Sequence, residues 1–304
     1  MKSHRSIYNK RLLAVWLLLF TVATTADLYA QEPEEDEIDL LLDELFFNEQ
    51  QFIDDILNSF NTFNFIYVNT SFYDNTFFSG RDSGIDQFSI VPQVSYYSSS
   101  GFNVSVSGIL YETFEPNWDY TNVSVGYFNT VGKDKLVTYN AEYTRFIYSD
   151  GWDTFTNSLS LGVGLRTKER NLGTKLGVSY LFGTDGAFQI TSRTYANITI
   201  ARQKKSVVKF RPKINFLIAQ QTIALEQLNT QLTEPQTEIF YDDIFDLLNT
   251  QINLPLSLST KSWDFEAGYN TNLPSPVKSE TDLKTTGFFN LSVGYIIDLD
   301  KKTL

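Results

Sequence analysis

The sequence contains no cysteine and only one histidine, His4, which lies within the first 30 residues. The lack of cysteine excludes disulfides, thiolate nucleophiles and attachment of a lipid to cysteine. Once residues 1–30 are removed, mechanisms that use imidazole as a general base or metal ligand are excluded as well. A weak calcium site built from loop carboxylates is the one metal site that the composition leaves open. We therefore expect no cofactor and no enzymatic activity.

Long apolar runs and basic residues are also scarce. After residue 30 no apolar run approaches the roughly 18 residues that a membrane-spanning helix needs, which excludes a helical membrane protein. Four basic residues and one acidic residue fall within residues 1–30, so the remaining chain carries 20 basic and 35 acidic residues, a net charge of −15. This excess argues against a nucleic-acid partner, whose phosphates Lys and Arg would have to neutralise.

Residues 1–30 have the features of a cleaved export signal. A basic stretch precedes an apolar run over residues 12–23, and residues 28–30 form a short exit that ends in alanine. The apolar run has about a dozen residues and is too short to span a membrane as a helix. We predict that residues 1–30 are a signal peptide whose removal exposes Gln31; a permanent anchor is the alternative. The basic residues are Lys2, Arg5, Lys10 and Arg11.

Residues 31–61 follow a different pattern from the rest of the chain. An acidic start leads into apolar residues at helical spacing, which predicts a short amphipathic helical segment on the periplasmic side. Such a segment would lie on the inner membrane surface, dock beneath the following domain or contact an envelope protein. A solvated acidic linker that folds only in part is the alternative. The apolar residues are Ile38, Leu41, Leu42, Leu45, Phe46, Phe52 and Ile56.

From Phe63 to Leu299 the hydrophobic period changes to two, which is the period of a β-strand. Residues 157–166 illustrate it, because from Ser158 onward apolar residues alternate with polar or glycine residues. The same pattern recurs in residues 172–182, 208–218 and 289–299. In the first of these runs Leu159, Leu161, Val163 and Leu165 face one way, and Ser158, Ser160, Gly162, Gly164 and Arg166 face the other.

Twelve candidate strands follow from this alternation, and most have 10 or more residues, whereas strands of soluble proteins centre on about 5 to 6. Tight turns and longer connections alternate along the chain. We therefore predict that residues 62–304 form an all-β, closed antiparallel up-and-down transmembrane barrel of about 12 strands. The predicted strands are 63–73, 87–98, 102–113, 119–130, 136–149, 156–167, 172–182, 187–202, 206–220, 252–261, 263–272 and 286–299.

Aromatic residues make up 15% of the chain, and many lie near predicted strand ends. Tyrosine and tryptophan favour the membrane–water boundary, so we expect girdles of these side chains. The residues concerned are Tyr96, Phe102, Tyr120, Tyr127, Tyr180, Phe182, Phe188, Trp263, Tyr269 and Tyr295.

The last predicted strand resembles the C-terminal recognition signal of bacterial outer-membrane β-barrel proteins. That signal reads polar, any, Gly, any, any, apolar, any, apolar, and Ser292, Gly294, Ile297 and Leu299 match it. The resemblance implies insertion into outer-membrane lipid by the barrel-assembly machinery, with both termini periplasmic. In that family the chain commonly stops at an aromatic residue, whereas here residues 300–304 follow Leu299.

The polar faces of the predicted strands carry charges of both signs. If these faces line one lumen, we expect opposite walls of opposite charge and a polar conduit lined by Lys209, Arg211 and Lys213. Pairing of the charges across a filled lumen is the alternative. Predicted strands 6 to 9 contribute Arg166, Lys175, Arg193, Lys209, Arg211 and Lys213; predicted strands 3, 5, 11 and 12 contribute Glu112, Glu142, Asp264, Glu266 and Asp298.

Two parts of the pattern are less regular. Residues 221–251 form a long connection in which two short amphipathic helices around Pro235 are predicted, as a constriction, a cap or a partner site. Tyr67, Val91 and Arg145 interrupt the alternation and leave the facing of predicted strands 1, 2 and 5 open.

Three functions are compatible with these observations. The first is a passive, porin-like channel for small polar or anionic solutes. The second is a non-conducting structural or interaction barrel that docks another envelope protein through the N-terminal helix or the long loop. The third, an enzyme, would have to use carboxylate pairs such as Asp242 with Asp243 or Asp264 with Glu266, but a solvated loop and a lumen wall explain these pairs better.

Overall fold

The computed structural model describes residues 64–299 except 78, 83–85, 114–115, 133, 152, 204–205, 230–235, 261, 278–279 and 281–282; for 221–229 and 236–244 it describes the backbone alone. The predicted signal peptide, the predicted amphipathic segment 31–61 and residues 300–304 lie outside the described residues. Among the described residues no helix is both long and apolar enough to cross a membrane.

The described residues form fourteen antiparallel strands. They are β1 (Asn64–Tyr73), β2 (Ser89–Ser98), β3 (Phe102–Tyr111), β4 (Trp118–Val131), β5 (Val137–Tyr148), β6 (Asn157–Arg166), β7 (Leu172–Phe182), β8 (Gly186–Ala196), β9 (Ile198–Arg202), β10 (Ser206–Phe210), β11 (Lys213–Asn229), β12 (Gln236–Thr260), β13 (Trp263–Pro274) and β14 (Thr286–Asp298).

These strands close into a ring. Each strand from β1 to β7 pairs with the next, and β8 pairs with β11. The pairing continues from β11 to β14, and β14 pairs with β1. β9 continues β8 beyond Asn197, and β10 precedes β11 across Arg211 and Pro212. Pro212 has no amide hydrogen to give to the ladder, so the strand is interrupted there. Counting each interrupted pair as one strand gives a closed barrel of twelve strands, which confirms the predicted fold class.

The barrel has apolar side chains on its outside and polar ones on its inside. Leu159, Leu161, Val163 and Leu165 point outward, and Leu161 is 58% exposed. Ser158, Gly162 and Gly164, on the other face of the same strand, are buried. A continuous apolar exterior of this kind requires lipid around it, because water would drive such a surface to associate. The chain is therefore a transmembrane barrel.

The two ends of the barrel differ in their connections. Asn64, Asp298 and the tight turns 99–101 and 167–171 lie at one end, which we call the terminal end. The longer connections 74–88 and 275–285 lie at the other, the loop end. At the terminal end the connections only reverse the direction of the chain. At the loop end the longer connections also make contacts of their own.

Most aromatic residues predicted at membrane boundaries do face outward. At the terminal end the Trp263 and Tyr295 ring centroids are 4.6 Å apart, and at the loop end those of Tyr180 and Phe188 are also 4.6 Å apart. Tyr120 is the exception, because it is fully buried and faces inward. The register of β4 with β5 pairs Tyr120 with Tyr148, on the inner face, so proximity to a strand end was misleading there.

The structure settles the three positions that interrupted the alternation. Tyr67 and Val91 are buried and face inward, whereas Arg145 is exposed and faces outward near the loop end. Arg145 donates hydrogen bonds there to the Thr156 carbonyl and the Asn157 side chain, at 3.3 and 3.2 Å.

The prediction of two helices in residues 221–251 is wrong. β11 and β12 continue through this segment as one long hairpin, in register from Gln221 opposite Ile244 to Asn229 opposite Gln236. β8 accompanies β11 only as far as Ala219, so the hairpin extends beyond its neighbour. Short apolar runs fit helix and strand equally well, and the backbone pairing with the partner strand decides between them.

Candidate functional site: the barrel interior

Nine of the eleven charged residues predicted on the polar faces are buried or half-buried on the inner face of the barrel. Five of them are buried, namely Arg166, Arg193, Arg211, Lys213 and Asp264; four are half-buried, namely Glu142, Lys175, Lys209 and Glu266. The strand register places them there. Side chains alternate between the two faces along each strand, and residues paired on neighbouring strands share a face.

The charges of β10, β11 and β13 lie close together and not on opposite walls. Only β12 separates them, since Lys209 is opposite Ser257, which in turn is opposite Glu266. Lys213 is within electrostatic reach of Glu266, Arg193 and Arg211. The prediction that charges of opposite sign lie on opposite walls is therefore wrong for Glu266. It is also wrong for Asp264 on the same strand, which accepts a hydrogen bond from Ser259.

Two further charged residues, Glu112 and Arg166, lie in surroundings that differ from the prediction. Glu112 follows the end of β3 and is exposed at the loop end, so it does not belong to the inner wall. Arg166 lies at the terminal end, where its Nε donates to the Lys135 carbonyl at 2.8 Å and so connects β6 to the preceding turn.

Lys175 runs along a part of the wall that has no side chains of its own. Its aliphatic carbons pass within 4 Å of the positions that Cβ atoms would occupy at Gly162 and Gly164. Beside it, Thr191, Arg193 and Asn215 line a small recess in the wall. Glycine on β6 thus leaves room for a long cationic side chain to lie against the backbone.

A network of buried and half-buried amide side chains covers the inner face from β11 to β14, and sequence analysis missed it. Asn215 donates to Asn253 and Gln251, at 2.6 and 3.2 Å, and accepts from Arg193 at 2.9 Å. Asn253 also donates to Asn270. The remaining links run from Gln251 to Asn272 at 3.0 Å, from Asn249 to Asn272 at 3.1 Å and from Asn270 to Asn290 at 2.9 Å.

The signal for this amide network was present in the sequence. Asn249, Gln251 and Asn253 recur with period two, as do Asn270 and Asn272. Amides at alternate positions of two neighbouring strands meet side by side when the register is in step, and each amide offers both a donor and an acceptor.

An aromatic cluster fills the loop end of the interior on the opposite side. It comprises Tyr73, Phe77, Val91, Ile109, Tyr111, Tyr120, Phe146 and Phe288, all buried. Tyr120 packs edge-on against Phe146 with ring centroids 6.1 Å apart. A second, smaller cluster joins Leu217, Ala219 and Leu248 to Val277 of the connection 275–285.

The connections at the loop end carry an ion pair that sequence analysis also missed. Arg81 binds Glu280 through two hydrogen bonds of 2.8 Å, Nε to Oε1 and Nη2 to Oε2. Burial alone would raise the pKa of Glu280, but the hydrogen bonds from Arg81 and from the Val277 amide hold that pKa below its ordinary value. The residues are 199 positions apart, so no local pattern could pair them.

The residues that match the recognition signal lie on both faces of the barrel wall. Gly294 is buried on the inner face, where the Tyr67 ring covers it, whereas Ile297 and Leu299 are exposed to the outside. Ser292 faces inward, opposite Ser71 of β1. Recognition of these residues by the assembly machinery stays a prediction.

No group of three or more His, Cys, Asp or Glu residues that could hold a metal ion occurs in the part of the chain that the structure describes.

No protein-family model and no curated protein matches the sequence. Solved structures with a similar fold include a KdgM porin, with 11% identity over 76% of this chain and 98% of that chain and a TM-score of 0.43. LpxR from Salmonella typhimurium has 8% identity over 76% and 99% of the chains and a TM-score of 0.43. An outer membrane channel from Pseudomonas putida F1 has 9% identity over 78% and 95% and a TM-score of 0.41. At these identities the similarity concerns the fold alone.

Proposed function

We propose that this protein is a porin-like outer-membrane barrel that conducts small polar or anionic solutes passively. The observation that carries the proposal is the inner face, which is polar along most of its length. Among the predicted positions that are buried or half-buried there, six are basic and three are acidic. Amides and cations in a wall of this kind hydrogen-bond to polar solutes, and the excess of positive charge favours anions.

The cellular setting belongs to the same proposal. The terminal end faces the periplasm, residues 1–30 direct export, and the barrel-assembly machinery inserts the last strand. The alternation of tight turns at the terminal end with longer connections at the loop end supports this orientation.

The decisive experiment is conductance of the purified protein in planar bilayers. We expect replacement of Lys209, Arg211 and Lys213 by glutamine to shift the ion selectivity away from anions by several-fold, because three inner-wall cations are lost. Gln replacements of Lys135, Lys168 and Lys284, three exposed lysines outside the lumen, remove the same charge and should leave the selectivity unchanged. Absence of conductance from wild type and both variants would contradict the proposal.

A second candidate is a non-conducting barrel that docks another envelope protein through the N-terminal segment or the β11–β12 hairpin. The buried clusters at the loop end favour it, because they occupy space that a wide pore would need. Isolation of a stable complex with one envelope protein, together with an impermeable barrel in liposome swelling, would decide for this candidate. Carboxylates alone supply little catalytic chemistry, and we infer no enzymatic activity.

A further inference from the structure

The connection after β1 turns into the barrel instead of away from it. We call its described residues 74–77 and 79–82 the strap. Thr76 contacts Ser89 on the inner face of β2, and Phe77 joins the buried aromatic cluster with its ring centroid 6.0 Å from that of Phe288. The Gly80 carbonyl accepts a hydrogen bond of 2.9 Å from Thr286 on the inner face of β14. The strap therefore lies against inward-facing side chains.

From β14 the strap continues across β13 to β12. Gly80 packs directly on Asn249, since a Cβ at Gly80 would lie 2.5 Å from the Asn249 Oδ1 atom. Gly80 also has a φ of +79°, which other residues rarely adopt. Both the space and the backbone conformation thus require glycine here, and the strap spans three neighbouring strands on the inside of the wall.

Arg81 holds the far end of the strap. Besides its two hydrogen bonds to Glu280, it donates to the carbonyls of Ser275, at 2.9 Å, and Leu248, at 3.3 Å. Its side chain is buried. Apart from the Ser79 carbonyl on the strap itself, its partners lie on β12 and on the connection 275–285. The Arg81 guanidinium therefore joins the strap to the rim on the far side of β14 and β13. Its two hydrogen bonds to Glu280 have the planar geometry that arginine favours with a carboxylate.

We propose that the strap is the constriction of the conduit and that Arg81 is the residue that sets its size limit. The inference rests on the proposed function, since a size limit has meaning only for a barrel that conducts. The strap narrows the loop end from the β1, β14 and β12 side, and the aromatic cluster narrows it from β2 to β5. Release of Arg81 removes its hydrogen bonds to β12 and to the connection 275–285, which loosens the strap and widens the opening.

The first test is liposome swelling with a series of sugars from mono- to tetrasaccharide. We expect Arg81→Gln and the double variant Arg81→Gln with Glu280→Gln to admit larger sugars than wild type and to increase trisaccharide flux about tenfold. Arg145→Gln is the matched control, because Arg145 is also an arginine at the loop end but faces outward. An unchanged size limit in both strap variants, with flux in wild type, overturns the inference and leaves the proposed function standing.

The second test tethers the strap chemically and uses the lack of native cysteine as a clean background. Arg81→Cys with Glu280→Cys removes two side chains that meet tip to tip, and a short bifunctional thiol reagent replaces their combined length. We expect the untreated variant to conduct larger sugars and the cross-linked one to return to the wild-type limit. Cysteines at Arg145 and Asn157, which contact each other on the outside, are the control pair.

The outcomes separate the two proposals. Flux through the untreated cysteine variant but not through wild type supports the constriction and contradicts passive conduction by the native barrel. No flux through wild type or any strap variant overturns both. Flux that is equal before and after cross-linking overturns the constriction alone.

Discussion

Two arcs of the inner wall, built from equally regular strands, contain different chemistry. The arc from β1 to β5 carries Tyr, Phe, Ile and Val at the loop end, whereas the arc from β8 to β14 carries amides and charged residues. Both arcs follow the same alternation of faces. The comparison teaches that strand periodicity determines which residues enter the interior, while the partners that meet them decide whether the position is apolar or hydrogen-bonded.

The difference has an energetic consequence. In the aromatic arc, stability comes from buried apolar area and ring packing. A substitution there lowers the stability in proportion to the number of buried atoms that it removes. In the amide arc it comes from matched donors and acceptors, and loss of one member leaves several others unsatisfied.

The largest effect is expected in the aromatic arc. Tyr120→Ala should lower the free energy of unfolding by about 3–5 kcal/mol, because a fully buried ring is replaced by a cavity. Urea unfolding in lipid vesicles, followed by tryptophan fluorescence, measures the change. Tyr127→Ala is the control, since Tyr127 lies on the same strand and faces outward. Equal losses for both variants would show that Tyr120 does not pack in a core.

A smaller effect is expected in the amide arc. Asn253→Leu keeps the volume but removes the partner of Asn215, Gln251 and Asn270, and should cost about 1–3 kcal/mol in the same unfolding experiment. Asn103→Leu is the matched control, because Asn103 faces inward on the aromatic arc and no hydrogen bond of its side chain occurs among the described residues. Should Asn253→Leu stabilise the barrel, the amides would not form a network.

The smallest effect concerns the contact between the strap and the connection 275–285. The pKa of Glu280 is depressed in the folded protein, so its pairing with Arg81 stabilises the fold above the ordinary value of 4.5 and is lost as pH falls through the folded pKa. The stability difference between wild type and Glu280→Gln should therefore be constant from pH 8 to about pH 5 and disappear at more acid pH. A difference that grows on acidification would contradict this assignment.

Much of the fold could be predicted from the sequence, and the site only in part. The outward direction of Leu159 to Leu165 and the inward direction of Lys209, Arg211 and Lys213 follow from period two alone. Tyr120 was misplaced because nearness to a strand end says nothing about its face. The β11–β12 hairpin was misassigned because its apolar spacing fits a helix as well, and only pairing along two strands distinguishes them.

By itself the sequence determined that this chain forms long strands with one apolar and one polar face, because alternation is a local property of the backbone. The tertiary structure decided which polar residues meet: Asn215 with Asn253, Lys209 two strands from Glu266, and Arg81 with Glu280. These contacts depend on register and on closure of the ring, which bring together residues far apart in the chain. Local preference contains no information about either.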